Sequence, residues 1–262
     1  MLVKINLIHK GINMNINNYE QHVAISKQLK MGDSFYEVRE PHKEGFEKIY
    51  NQVQEEGINI SNAKDFLNSL SKEEMSTLQQ YTGLVDEINV GTISDEGAYN
   101  LLLHHYEKYD FDQDGLVSNG ISKGQSLLPV NMPNDQKEIL VQTLNEMSGE
   151  DRFKALLMIN PPRFEGLPDG TMGVKQDDNF MDYEAIKERV DRILNPLPGD
   201  YASPEYQKLM STFFEMFDKN IQKNREQNEY VNQQHNNKVQ LTKAQLKIII
   251  HLKEFHLQKV LI

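Results

Sequence analysis

Phe46-Glu47-Lys48-Ile49-Tyr50-Asn51-Gln52-Val53 decides how this chain is read. Phe46, Ile49, Tyr50 and Val53 stand at i, i+3, i+4 and i+7, with polar residues between them. An α-helix turns every 3.6 residues, so this spacing gathers the apolar side chains into one stripe and leaves the rest to water. The spacing recurs downstream in Ala63, Phe66, Leu67 and Leu70, after Ser61 as a helix-capping residue. Ser71-Lys72-Glu73-Glu74 is a capping box, and Gly83 marks the far end of the helix it opens.

The same grammar continues along the chain. Ser94, with Asp95 and Glu96 at the positive end of a helix, opens a stripe of Ala98, Leu101, Leu102, His105 and Tyr109. That predicts a helix over residues 95–109. Further helices are predicted over 135–147, over 150–159 after Ser148 as cap, and around Tyr183, Ile186, Val190 and Ile193. Ser203-Pro204-Glu205 combines a cap, a proline in the first turn and an acid, ahead of Tyr206, Leu209, Met210, Phe213, Phe214 and Phe217. Loops are expected at 110–133 and from Pro161 to about Asp178, where glycines and prolines concentrate. No period-2 alternation of useful length appears, so the expected fold class is all-α: an irregular multi-helix domain with a polar, basic C-terminal helical extension.

Composition limits the functional classes. The 262 residues carry a net charge of −11, no cysteine, no tryptophan and a mean hydropathy of −0.62. Thiol chemistry, disulfides and zinc–thiolate sites are excluded. An acidic balance opposes nucleic acid as a partner, because phosphate binding requires local positive charge. The first ten residues lack the sustained apolar stretch of a secretory signal, and no apolar run reaches membrane-spanning length. A cytoplasmic location and a non-enzymatic role are the resulting expectations. Three segments are expected: residues 1–40 with little order and Met14 as the start, a helical core over 41–219, and a tail over 220–262.

The tail changes character abruptly. Eleven of the 21 residues from 220 to 240 are Asn or Gln, and residues 201–262 carry nine Lys/Arg against six Asp/Glu. The reading is a polar linker followed by a basic amphipathic segment, Leu241–Ile262, for a protein partner or self-association.

One stretch carries recognisable chemistry. Asp110-Phe111-Asp112-Gln113-Asp114-Gly115-Leu116-Val117-Ser118 places three aspartates at alternate positions before a glycine. A tightly turning loop of that form converges carboxylates on one point, and a hard cation such as Ca²⁺ takes several oxygens at about 2.3–2.6 Å. Gly115 permits the sharp turn. This run resembles the first nine positions of an EF-hand loop. The resemblance implies Asp110, Asp112, Asp114, the Leu116 carbonyl and Ser118 as ligands, the last directly or through water. The twelfth position, where that motif places a bidentate Glu, is Ile121, so the resemblance implies an incomplete site that a remote carboxylate or a water must finish. Weak affinity, roughly 10⁻⁴–10⁻³ M, follows from the missing ligand. Two other readings stay open. In one the loop is a metal-free run of Asx turns and the chain a helical scaffold or interaction protein. In the other His104, Glu107 and Asp110 serve a metal-dependent hydrolase.

Overall fold

The structure, a computed structural model, describes residues 16–124, 126–129, 132–159, 161, 163–166, 172–175, 181–199 and 202–260. The chain forms two compact units, Met1–Phe214 and Glu215–Ile262. The described residues are mostly helical, so the all-α expectation holds in outline.

In the first unit, α1 (Ile16–Ser26) and α2 (Asp33–Arg39) occupy a stretch in which little order was expected, and Ile25 and Leu29 are buried. Residues 1–15, including Met14, lie outside the described residues. A short 3₁₀ turn, Glu40–His42, leads into α3 (Lys43–Glu55), which buries Phe46, Ile49 and Val53. Next come α4 (Ala63–Ser69) and α5 (Lys72–Thr82). The capping box at Ser71 forms as read, with the Ser71 hydroxyl accepting from Glu74 N at 3.2 Å and Glu74 accepting from Ser71 N at 2.8 Å. The cap of α4 is Asn62 rather than Ser61. Phe46 stacks on Tyr81 with ring centroids 3.8 Å apart, which locks α3 to α5. Ala63, Leu67, Leu78, Leu101 and Leu102 complete this core.

The largest departure from the sequence reading is α6. It spans Asp95–Leu101, not 95–109. His104 and the residues after it turn away, and the Glu107 carboxylate accepts from His104 N at 3.1 Å and from Tyr50 Oη at 2.8 Å. Those polar bonds fix a compact turn where apolar spacing alone suggested continued helix. The loop after Asp110 contains an antiparallel hairpin of β1 (Val117–Asn119) and β2 (Ser122–Gly124), with Asn119 opposite Ser122. The three-residue strands are too short to leave an alternation signal.

Then follow α7 (Asn134–Asn145) and α8 (Gly149–Ile159), with Asp151 N donating to Ser148 Oγ as the sequence suggested. A second hairpin, β3 (Arg163–Gly166) with β4 (Met172–Lys175), stands where a plain loop was expected. α9 (Tyr183–Leu194) buries Tyr183, Ile186 and Val190. α10 (Pro204–Val260) starts behind Ser203, whose hydroxyl accepts from Tyr206 N, and buries Met210 and Phe213. In the second unit the helix passes through residues 220–240 without a break, where composition points to a linker.

Candidate metal centre

The site grows from the first turn of α6. Ser94 caps that helix, its hydroxyl accepting from Gly97 N at 2.9 Å, and this sets Glu96 on the inward face. Gly97 then lets the hairpin approach backbone to backbone. Its carbonyl accepts from Gly120 N at 3.0 Å, and a Cβ at position 97 would lie 2.3 Å from the Gly120 carbonyl oxygen. One helical turn beyond Glu96, the fully buried Asn100 donates to the carbonyls of Tyr109 (2.9 Å) and Ser118 (2.7 Å) and accepts from Tyr109 N (3.1 Å). Glu96 and Asn100 thus hold both ends of the aspartate loop against α6.

Glu96 is 1% exposed and accepts three backbone N–H groups, from Ser118 at 2.5 Å, Phe111 at 2.7 Å and Asp112 at 3.0 Å. The loop itself turns as expected. Gly115 has φ +86°, in the left-handed region that favours glycine. The Asp110 carboxylate accepts from Asp114 N (3.1 Å) and Gly115 N (2.8 Å).

Glu96, Asp110 and Asp112 each present a carboxylate oxygen, and these three oxygens lie within 4.8 Å of one another. Among the described residues none of the three forms an ion pair, although the Lys123 ammonium, paired with Asp114, is near enough for its charge to act on Asp112 and Glu96. Mutual repulsion and burial are visible in the acidity of Glu96 and Asp110. Glu96 is pushed up to about 7, chiefly by burial, against the opposing Ser118 and Asp112 N–H bonds and with help from the Asp112 and Asp110 charges. Asp110 also moves up, by burial first, with the Asp112 and Asp114 charges adding and the Gly115 N–H opposing. The donor set is all oxygen and anionic, which suits a hard divalent cation.

The five residues expected as ligands divide. Asp110 and Asp112 belong to the cluster. Asp114 does not, because its carboxylate pairs with Lys123 and accepts from Leu116 N at 2.9 Å. Leu116 is a buried loop residue. Ser118 sits in β1, 2% exposed, and its hydroxyl has no hydrogen-bond partner among the described residues. Glu96, which the sequence reading left as a helix-terminal acid, is the unanticipated member. No local signal marks it, because the helix dipole already accounts for an acid in a first helical turn.

The alternative cluster does not assemble. His104 packs its ring against Tyr50 and Tyr106 and lies 3.7 Å from Glu47, while Glu107 is spent on Tyr50 and the His104 backbone. Among the described residues, no group of potential metal ligands includes His104 or Glu107. Behind the loop, Lys108 is pushed down to about 7 by burial and by the Arg39 charge.

No protein-family model, no curated protein and no solved structure matches this chain. Among the described residues, no helix is long and apolar enough to cross a membrane.

Proposed function

We propose that this chain is a divalent-cation-binding helical protein, with Ca²⁺ as the ion and Glu96, Asp110 and Asp112 as its anionic ligands. The observation that supports the reading is the convergence of those three carboxylates, none of which forms an ion pair among the described residues. Glu96 supplies the remote carboxylate that the loop needs in place of Ile121. The Leu116 carbonyl, Ser118 and water fill further positions, and Asp114 joins only by giving up Lys123. Oε2 of Glu96 accepts two N–H groups and Oε1 accepts one, from Ser118, so the acceptor position left to face an ion is the second one on Oε1. The role is structural or weakly regulatory: the ion clamps the loop, and with it the β1–β2 hairpin, onto α6.

Calorimetric titration of EDTA-stripped protein tests this. The expected result is one Ca²⁺ per chain with a dissociation constant of roughly 10⁻⁴–10⁻³ M, and weaker Mg²⁺ binding, because the smaller ion demands a tighter octahedron and keeps its waters. Loss of the signal in Glu96→Gln and Asp110→Asn assigns it to the cluster. A metal-free scaffold shows no saturable heat.

The three N–H bonds to Glu96 also support that scaffold reading, in which Glu96 serves only to staple the loop. The basic segment Leu241–Ile262 is proposed, separately, as a surface for a protein partner or self-association. Analytical ultracentrifugation of the full chain and of a chain ending at residue 240 checks the latter.

A further inference from the structure

A cavity of about 270 Å³ opens in the first unit, against the face of the β1–β2 hairpin that carries Val117 and Asn119. Its apolar wall comes from Leu29, Met31, Val117, Leu127 and Leu128, and its polar side from His22, His105, Lys108 and Asn119. Lys108 is part-buried there, and its ammonium donates to Asn119 Oδ1 at 2.6 Å. Among the described residues no carboxylate forms an ion pair with it. Lys123 also borders the cavity, but its ammonium pairs with Asp114 in the aspartate loop.

An ammonium held by one amide oxygen beside a largely apolar cavity is an incomplete arrangement, because a sheltered charge is costly unless an opposite charge and hydrogen bonds satisfy it. His22 and His105 are both pushed down to about 4 by burial, so at neutral pH they offer neutral ring nitrogens rather than further positive charge. One cation calls for one anion. The apolar wall calls for a hydrocarbon body, and the volume limits that body to a small molecule.

We propose that this cavity binds an organic monocarboxylate of medium chain length, with its carboxylate on Lys108 and Asn119 and its hydrocarbon chain against Leu29, Met31 and Leu128. The inference is independent of the cation site, and its test is run in EDTA so that the two stand or fall separately. The carboxylate accepts from the Lys108 ammonium and completes the ion pair that the fold leaves open. The chain displaces water from apolar surface, which supplies the driving force.

The probe is octanoate, titrated calorimetrically into the full-length protein at pH 6.0, where the ligand is ionised. Octanol, octylamine and inorganic phosphate serve as comparisons on the same protein. The expected result is saturable one-to-one binding of octanoate, at least tenfold tighter than any comparison ligand. Histidine ring signals of His22 and His105 should shift in the NMR spectrum with the same midpoint. Lys108→Met should weaken octanoate at least tenfold while leaving octanol unchanged. Equal affinity for octanoate and octanol, or no saturation, or saturation without movement of the histidine signals, overturns the proposal. The wild-type ligand series decides the matter even where Lys108→Met fails to fold.

Discussion

Glu96 gives the sharpest handle on this protein, through pH. Its carboxyl titrates near 7 in the fold against an ordinary value of 4.5. Between those values the folded chain holds a proton that the unfolded chain has released. The stability that Glu96 contributes is therefore greatest below about pH 4.5 and declines as pH rises through 7. A displacement of that size corresponds to about 3 kcal/mol, since each tenfold in proton affinity is about 1.4 kcal/mol, and solvent screening around the loop reduces it to about 2 kcal/mol. His22 and His105 act in the opposite sense. Both are held near 4 rather than 6.5, so they stay neutral in the fold, and stability is lost as pH falls from 6.5 towards 4. The wild-type curve alone mixes these effects, and the difference between wild type and Glu96→Gln removes the histidines. Glu96→Gln lowers absolute stability by setting an amide against N–H donors, but that offset does not vary with pH. Urea unfolding in EDTA between pH 5 and pH 8 should show the wild type losing about 2 kcal/mol relative to the variant. Saturating Ca²⁺ should erase the loss, because the ion stabilises the ionised form. Parallel curves for the two proteins would refute the reasoning.

Other expectations follow from the same contacts. Asp110→Asn should abolish Ca²⁺ binding, whereas Asp114→Asn, whose carboxylate is held by Lys123, should weaken it less than tenfold by calorimetry. Gly97→Ala drives a Cβ against the Gly120 carbonyl and should cost about 3 kcal/mol in denaturant melts, with loss of any Ca²⁺ response, because backbone must move to admit it. Ser71→Ala breaks the capping box of α5 and should cost about 1 kcal/mol while leaving Ca²⁺ affinity unchanged.

The helices were legible because their signals are local. Phe46, Ile49 and Val53 are buried where the spacing put them, and Ser71, Ser94, Ser148 and Ser203 accept the capping hydrogen bonds assigned to them. What escaped was set by contacts between residues distant in sequence. The run 102–109 keeps helical apolar spacing, yet Tyr50 and Asn100 draw Glu107 and Tyr109 into a turn, so α6 ends at Leu101. The hairpin β1–β2 is positioned by Gly97 and Asn100, more than fifteen residues from its strands. Within the candidate site, Asp110, Asp112 and the turn at Gly115 could be read directly. Glu96 could not, because an acid in a first helical turn has a sufficient explanation in the helix dipole, and only the folded loop brings it to the aspartates. Asp114 shows the converse: the motif placed it in the shell, and Lys123, nine residues on, drew it out.

The central claim is that Glu96, Asp110 and Asp112 share one cation, and a crystal soaked in millimolar CaCl₂ and measured for anomalous scattering tests it most directly. A single calcium peak is expected among those three carboxylates, about 2.3–2.6 Å from an oxygen of each. A water alone at that position, together with a melting temperature that calcium leaves unchanged, would contradict it.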